Sequence, residues 1–517
     1  MRLVKNTLAN LAGSLLGPLL AIVLTPFYIR NLGLEGYGLV GFFAMLQVVL
    51  GVVSVAMGKV YLREVAARAA QPVRRQGVPA LFQLFLLFFA ALGLFVALGI
   101  AALSWWISHR WVHLEHLDPG TVQACVLLLA VTFLATLPTG VCTDTLFALQ
   151  EHVRLNSLLI AIYLLTTVAA VVLVATTHSV IGYYAASATG AIVTFALTVP
   201  LAARRLRSHL GEEVVWPRVA QSFRKRKSDA FGVVRDSLAL LWTEGAGVII
   251  TQTDRLLITA LLPLSSLGIY NLGSSIGRLV QMACTPLLTA AYPRLCERAA
   301  QPGGHAAAAR DAFRLQGIVL VLASALAMPV CAIPAALLTC WIHDPALAAR
   351  AGSVSAIFAV AYACLALAGA PYNLAVATGH TRFGAIFNVL AALWYPLLGW
   401  WLIRDFGLLG AAGLWLSYTA SSLLACSLVG WLVVARGCFA FREVVRFLAV
   451  PALALGLGGL VRAAPRPAFS PLLVQISYAA AGSLAIVVAG AWLVLGRAEM
   501  ARLAARWGAR RPVVAAR

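Results

Sequence analysis

LFALQEHVR, residues 146–154, returns later in the chain as LAVATGHTR, residues 374–382. The leucine, histidine and arginine of the two stretches match at a single shift of 228 residues, and the same shift relates Gly182 to Gly410. A second match, at shifts of 230 to 233 residues, joins Gly36, Tyr37 and residues 67–71 to Gly268, Tyr270 and residues 297–301. Two copies of one pattern in an apolar chain are typical of transporters whose substrate path lies between the copies.

The composition places the chain in a membrane. Of its 517 residues, 62% are hydrophobic and 11% are charged, and the mean hydropathy is +0.90. Soluble domains average about 25% charged residues, so this chain carries too little charge to cover a water-exposed surface. Its apolar runs are mostly about 18 to 27 residues long, the length that a helix needs to cross a bilayer. They lack the alternation of a β-barrel, so we predict an all-α polytopic membrane protein.

Fourteen apolar runs are candidate transmembrane helices. We interpret the first as a span and not as a signal peptide, because it ends in Thr25-Pro-Phe-Tyr-Ile-Arg30 without a small-residue cleavage site. The thirteenth is the weakest, since it is short and rich in glycine. The runs lie near residues 9–29, 38–58, 80–106, 123–145, 156–176, 180–201, 237–261, 268–291, 315–339, 351–376, 385–403, 408–433, 447–461 and 471–495.

Basic residues in the loops orient the chain. With the N-terminus inside, the inner segments hold 31 Lys and Arg residues and the outer segments hold 6. This bias predicts that both termini lie in the cytoplasm. The same bias, together with contacts to anionic lipid headgroups, accounts for the net charge of +21 without a nucleic acid partner.

The longest inner loop divides the spans into two halves of equal orientation. Six spans precede it and six follow, so we expect two six-helix bundles related by a pseudo-twofold axis along the membrane normal. The predicted organisation is a first lobe over residues 1–203, a basic cytoplasmic linker over 204–235, a second lobe over 236–435, and two additional helices with a basic cytoplasmic tail over 436–517.

Charged residues inside the apolar runs are the strongest functional candidates, because an unpaired charge in lipid is costly. They concentrate in spans seven and eight, as Glu244, Asp254, Arg255 and Arg278. Glu244 and Arg255 share a face of an ideal helix, since eleven residues turn through about 1100°. Two interpretations stay open. Either an acid pairs with Arg278 and pins the hairpin, or the arginines meet an anionic substrate while Glu244 or Asp254 couples a cation.

Three further charged residues lie near span ends. Arg30, at the outer end of span one, either reaches for the interface or contacts a substrate. Lys59, at the inner end of span two, either anchors to lipid or contacts a substrate. Asp144, near the inner end of span four, is a candidate cavity residue for a coupling ion.

An enzyme has little support in the sequence. No loop is long enough for a soluble catalytic domain, and the outer loop 107–122 offers only Glu115 and Asp118 as acids. The motifs of phosphate-binding loops and zinc proteases are missing. The nine cysteines are scattered without paired spacing. We therefore predict no metal site, no disulfide framework and no cofactor.

Two segments resemble a transporter family. TPFYIRNLGLEGYG, residues 25–38, resembles the first span and loop of the polysaccharide or O-antigen flippases. These belong to the multidrug/oligosaccharidyl-lipid/polysaccharide exporter superfamily. Residues 253–295, which include Thr253-Asp254-Arg255 and Tyr292-Pro293-Arg294, are similar to spans seven and eight of the same family. The resemblance implies two bundles around a cavity and alternating access that moves an undecaprenyl-diphosphate-linked sugar unit from the inner to the outer leaflet.

The resemblance also implies a setting and partners. The substrate would be a lipid-linked anionic oligosaccharide in a bacterial inner membrane, with H⁺ or Na⁺ as a coupling ion. A polysaccharide polymerase and its chain-length machinery would be protein partners. Arginines suit a diphosphate, so Arg30, Arg255 and Arg278 are expected to hold the head group, with Lys59 as a further contact.

Three rival functions stay open. A lipid II flippase also fits a cationic cavity. A cation-coupled multidrug and toxin (MATE) exporter could use Glu244, although span ten holds no second acid. A membrane glycosyltransferase or polymerase is the alternative outside transport. The sequence leaves the sugar unit, the coupling ion and the oligomeric state undetermined.

Overall fold

The structure, a computed structural model, describes residues 2–71, 77–210, 227–380, 382–434, 441–464 and 471–508. Within these ranges the chain folds almost entirely into thirteen α-helices, with no strand. They are α1 (Arg2–Ala70), α2 (Val78–Trp106), α3 (Pro119–Ala148), α4 (His152–Thr177), α5 (Val180–Leu210), α6 (Lys227–Leu261), α7 (Leu264–Ala299), α8 (His305–Ala332), α9 (Pro334–Ile342), α10 (Pro345–Ala377), α11 (Arg382–Ser427), α12 (Phe441–Ala463) and α13 (Pro471–Gly508). The π-helical segments Ile107–Trp111 and Leu428–Val434 extend α2 and α11.

The predicted all-α membrane fold is confirmed. Nine helices within the described ranges are long and apolar enough to cross a membrane. Two of them, α1 and α11, each cover two predicted spans. Gly33 and Gly407 break these helices at φ angles of 71° and 57°, a region that glycine adopts without steric cost. The helices α6 and α7, which carry the four charges inside predicted spans, are not among the nine.

One predicted span is wrong at its end. The ninth was expected over residues 315–339, whereas α8 ends at Ala332 and the short helix α9 begins at Pro334. Proline has no N–H to donate, and its ring disfavours the helical conformation of the residue before it. Ile333 accordingly leaves the helix, with a φ of −133° and a ψ of 49°.

The chain forms two compact units, Met1–Gly268 and Ile269–Arg517. In the first unit, α3 packs against α1, α2 and α5, and α6 packs on α1. In the second unit, α10 packs on both α8 and α11. The two additional helices, α12 and α13, pack on α8 around Met328, Val450 and Ile486. The predicted lobes and linker stay a prediction, and residues 211–226 of that linker lie outside the described ranges.

The two repeated stretches end in the same backbone turn. In the first, the N–H of Gln150 donates to the carbonyl three residues back and the N–H of Glu151 to the carbonyl five residues back, both at 3.0 Å. Gly379 and His380 repeat these bonds in the second, at 3.1 and 2.8 Å. This is the Schellman pattern of a helix end, with Gln150 and Gly379 at positive φ. The turns correspond at a shift of 229 residues, one more than the matching histidines.

The first turn gathers charges that the second lacks. Glu151 accepts from Arg154 Nη1 at 2.9 Å, and its carboxylate lies 2.9 Å from His209 Nε2 and 3.7 Å from Arg205 Nη1 at the end of α5. Burial disfavours the ionised carboxyl, but these hydrogen bonds and positive charges outweigh it and lower the pKa of Glu151. In the second turn His380 takes the equivalent place, so the copies share a backbone shape and not a charge pattern.

The repeated glycines also share a role. Gly182 follows the break between α4 and α5, and Gly410 follows the break at Gly407. A Cβ built on Gly182 would lie 3.0 Å from Cβ of Leu173, and one built on Gly410 would lie 1.9 Å from the carbonyl oxygen of Leu402. In both copies the glycine therefore lets a returning helix approach the helix before it.

This close approach predicts a difference between two glycines on α11. Gly410→Ala should lower the free energy of unfolding by about 1–3 kcal/mol, because the new methyl group overlaps a fixed carbonyl. Gly413→Ala is the matched control, since no heavy atom lies within 4 Å of a Cβ at that position. It should be neutral or stabilising by up to about 1 kcal/mol, the gain in helix propensity. Thermal unfolding of the purified protein in detergent measures both, and equal effects would contradict the packing.

Candidate functional site

The helix α6 supplies partners for two of its own charges. Arg255 Nη1 donates to the carbonyl of Thr251 and to Gln252 Oε1, both at 3.2 Å. Asp254 is 3% exposed, and its Oδ1 accepts from the N–H of Arg255 at 2.8 Å. Both charges predicted in this span therefore lie on α6 with partners nearby.

An ion pair joins α6 to α1. Lys59 Nζ donates to Glu244 Oε1, and both side chains reach water, with 55% and 29% of their surfaces exposed. The two residues are 185 positions apart in the chain. Glu244 was predicted to couple a cation or to pair with Arg278, and its partner in the structure is the ammonium of Lys59. The predicted substrate contact and the predicted coupling acid are thus bound to each other.

Asp144 lies close to Gly58, the residue before Lys59. A Cβ built on Gly58 would fall 2.4 Å from Asp144 Oδ2, so the carboxylate rests on the backbone that precedes Lys59. Next to it, the buried hydroxyls of Tyr61 and Thr145 lie 2.7 Å apart and link α1 to α3. Thr145 also donates to its own helix at 2.7 Å, which leaves Tyr61 as the donor. Among the described residues, Asp144 makes no hydrogen bond or ion pair.

The remaining candidates lie apart from this group. Arg30 is exposed, three residues before the break at Gly33. Arg278 is exposed on α7 in the second unit. Neither guanidinium forms a hydrogen bond or ion pair with any described residue. The structure therefore pairs Lys59 with Glu244, places Asp144 against Gly58, and leaves the two arginines exposed. The roles predicted for all of these residues stay predictions.

Sequence reasoning missed the role of Glu35. This side chain follows the break in α1, and the residue is 5% exposed. Its carboxylate accepts from the backbone N–H groups of Glu115, His116 and Leu117 at 2.8, 2.8 and 3.0 Å. Three backbone donors satisfy a buried carboxylate well. The sequence does show an acid, Glu35, two residues after the helix-breaking Gly33. Its hydrogen-bond donors lie in a distant loop, so nothing in the sequence indicates them.

The same loop also binds the break between α6 and α7. The N–H of Leu264 donates to the carbonyl of His113 at 3.0 Å, and Ser265 Oγ donates to Glu115 Oε2. We call Glu35, residues 113–117 and residues 264–265 the clasp. Glu115 and Asp118 were weighed as catalytic acids. In the structure Glu115 belongs to the clasp, and Asp118 accepts from Thr121 N at 3.0 Å and caps α3.

Beneath the clasp, two glycines make a reciprocal contact. A Cβ built on Gly38 would lie 2.3 Å from the carbonyl oxygen of Leu264, and one built on Gly268 would lie 2.4 Å from that of Leu34. Residues 34 and 38 stand 230 positions before residues 264 and 268, whereas the sequence match joined Gly36 to Gly268 at a shift of 232. Each glycine thus packs against the carbonyl oxygen of the residue four positions before the other glycine.

The described residues contain no group of three or more His, Cys, Asp or Glu side chains that could hold a metal ion. The Lys59 ammonium pairs with the Glu244 carboxylate between α1 and α6, and the Asp144 carboxylate on α3 lies against Gly58. Exposed guanidinium groups lie on α1 and α7.

The chain matches one protein family by sequence. The model of the family described as polysaccharide biosynthesis protein matches residues 3–298, more than half of the chain. None of the curated proteins compared with the chain matches it.

Several solved structures share the fold. Lipid II flippase MurJ in an inward closed conformation has a TM-score of 0.66 at 11% identity, over 93% of this chain and 98% of that one. An inward-facing multidrug resistance MATE family transporter of the MOP superfamily has a TM-score of 0.56 at 13% identity, over 83% and 94%. The Vibrio cholerae MATE transporter VcmN in its bent form has a TM-score of 0.50 at 14% identity, over 84% and 97%. At these identities the likeness shows the fold, that of a multi-pass membrane transporter.

The ion pair between α1 and α6 predicts a measurable coupling. Replacing Lys59 with Ala and Glu244 with Ala, singly and together, should give a coupling free energy of about 0.2–1 kcal/mol, the range for ion pairs that water reaches. Thermal unfolding in detergent of the wild type, the two single variants and the double variant completes this double-mutant cycle. Strictly additive effects would show that the pair contributes nothing to the packing of α6 on α1.

Proposed function

We propose that the chain, which belongs to the polysaccharide biosynthesis protein family, is a flippase for an undecaprenyl-diphosphate-linked oligosaccharide. It moves this lipid from the inner to the outer leaflet for the synthesis of a surface polysaccharide such as O-antigen, capsule or exopolysaccharide. The match of the family to residues 3–298 carries the proposal. The transporter fold supports it, since a flippase needs a membrane-spanning path and no catalytic group.

The charge of the substrate matches the open cations. A lipid-linked diphosphate carries about two negative charges, and guanidinium groups bind phosphate oxygens through paired N–H donors. Arg278 and Arg30 are exposed and have no partner among the described residues, so they are the first contacts for the diphosphate. Arg255 and Lys59 already have partners on α6. They contact the diphosphate after the substrate path changes conformation.

Coupling to an ion is assigned to the acids near α1 and α6. Glu244 pairs with Lys59 on α1, and Asp144 lies against Gly58, the residue before Lys59. H⁺ or Na⁺ that neutralises Glu244 would free Lys59 for a phosphate. Asp254 is buried with a partner on its own helix and is the third candidate.

Two alternatives within transport differ in substrate. A lipid II flippase carries the same polyprenyl diphosphate with a different head, and the fold is like that of lipid II flippase MurJ. A MATE-type exporter shares the fold at a lower TM-score, and among the acids it could use for its cation, Glu244 is paired with Lys59 and Asp144 has no partner within the described ranges. A membrane glycosyltransferase or polymerase is the alternative of a different class, and the outer acids Glu115 and Asp118 have structural roles instead.

The arginines give the deciding experiment. Deletion of the gene should abolish the surface polysaccharide and cause lipid-linked glycan to accumulate. Complementation with Arg255→Ala plus Arg278→Ala should leave polysaccharide at least about tenfold below wild type, the effect of one lost charged hydrogen bond.

Arg278→Lys, which keeps the charge, and Arg404→Ala, which removes an arginine stacked 5.2 Å from the Trp400 ring, are the controls. Protein level is measured for each variant. Unchanged polysaccharide with the double substitution contradicts the proposal. Accumulation of lipid II on deletion would indicate the lipid II flippase, and drug sensitivity alone would indicate the exporter.

The proposed setting is the bacterial inner membrane with both termini in the cytoplasm, next to a polysaccharide polymerase and its chain-length machinery. The excess of 31 basic residues on the inner side over 6 on the outer side supports this orientation. A reporter fused after residue 210 or after residue 440 should be active only in its cytoplasmic form; residue 440 lies outside the described ranges. A periplasmic signal from either fusion would overturn the topology.

A further inference from the structure

One face of α7 carries a row of polar side chains. Arg278, Thr285 and Thr289 are exposed, and Tyr292 is partly exposed. At 100° per residue these four positions fall within a sector of about 60° and extend over about 21 Å of helix. We call them the polar sector.

Beside it, α7 exposes a second, apolar sector. Its members are Leu279, Ala283, Leu287 and Ala290, all exposed, within a sector of about 80°. The two sectors are separate on the helix surface, so α7 presents an amphipathic open face across its predicted span, residues 268–291. Such a face suits two different surroundings, one polar and one apolar.

The depth of Arg278 decides which surroundings the polar sector has. Arg278 is the eleventh residue of a predicted span of 24, near the middle of the bilayer. An arginine that faces lipid at this depth costs about 2.5–3.5 kcal/mol on insertion scales and more in simulations. Because Arg278 is exposed without a partner among the described residues, the polar sector must face water and not hydrocarbon, while the apolar sector tolerates lipid.

The hydroxyl groups of this sector have a defined polarity. Thr285 Oγ1 donates to the carbonyl of Gln281 at 2.9 Å, and Thr289 Oγ1 donates to that of Thr285 at 3.0 Å. Their hydrogens are therefore used within α7, and their oxygens remain as acceptors. Beyond Arg278, no charged residue lies between Leu264 and Pro293. The sector offers one cation with N–H donors, followed by neutral acceptors and a phenol.

We propose that the polar sector of α7 contacts the glycan of the substrate, with Arg278 at the diphosphate and Thr285, Thr289 and Tyr292 along the sugars. This rests on the proposed function and adds a substrate class: a neutral glycan whose hydroxyls donate to the threonine oxygens. Repeat units rich in carboxylates would find no counter-charge beyond Arg278 along this row.

Thiol labelling tests whether the sector is lined by water. In a cysteine-free background, Thr285→Cys and Thr289→Cys are compared with Ala283→Cys, Leu287→Cys and Ala290→Cys in membrane vesicles. A charged, water-soluble thiol reagent should label the polar positions at least about tenfold faster, because thiolates form where water reaches the sulfur. Equal labelling of both sectors, or faster labelling of the apolar one, overturns the proposal.

Protection by lipid probes tests the glycan. Undecaprenyl diphosphate carrying a neutral disaccharide should slow labelling of Thr285→Cys and Thr289→Cys several-fold, whereas undecaprenyl diphosphate without sugar should not. If neither lipid, or both equally, slow the labelling, the glycan contact is wrong.

A test without the cysteine-free background uses shape-conserving substitutions. Thr285→Val plus Thr289→Val should lower surface polysaccharide by about tenfold through two lost hydrogen bonds, with Thr176→Val on α4 as the control. An unchanged level contradicts the glycan contact. If Arg278 is dispensable for polysaccharide but the sector is labelled, the proposed substrate fails while the water-lined face stands. If Arg278 is required and the sector is not labelled, the inference alone fails.

Discussion

A charge that is buried or lies inside a membrane needs a partner or water, and the described charges of this chain satisfy that constraint in graded ways. Glu35 is fully engaged, with three backbone N–H groups on one buried carboxylate. Arg255 turns back onto its own helix. Lys59 and Glu244 pair across two helices where water reaches them. Arg278 has no partner among the described residues and stands in the open. A charged side chain with fewer partners in the protein has more hydrogen-bonding groups available to bind a ligand.

The duplication in this chain conserves backbone geometry more than chemistry. Both copies end a helix in the same Schellman turn, and both place a glycine where a returning helix approaches its predecessor. Yet Glu151 gathers two arginines and a histidine in the first turn, whereas His380 takes its place in the second. In a fold built from two repeats, each copy needs its own turns and its own close helix–helix contacts to pack its helices together. A binding path can carry its charges on one copy, because the substrate is not symmetric.

The sequence predicted helices well and their partners poorly. The bilayer sets the length of an apolar run, so twelve of the fourteen spans fall within a single described α-helix or one arm of a broken one. The twelfth span runs from α11 into the π-helical segment that extends it, and the ninth ended early because Pro334 interrupts it. The pair of Lys59 with Glu244 could not be predicted, since it depends on how α6 packs on α1 across 185 residues. The hydrogen bonds of Glu35 could not be predicted either. Its donors are backbone N–H groups, and the direction of a backbone N–H group cannot be read from a pattern of side chains. Such contacts follow from packing, and packing is a property of the whole chain.

The contact of α1 with the segment from α6 into α7 is held differently at its two ends, and ionic strength separates them. At one end lies an ion pair that water reaches, so dissolved salt screens it over a Debye length of about 8 Å at physiological concentration. At the other end, glycines meet carbonyl oxygens in van der Waals contact, and a neutral contact has no charge to screen. Rising salt should therefore weaken one end of this helix pair and leave the reciprocal glycine contact at the other end unchanged.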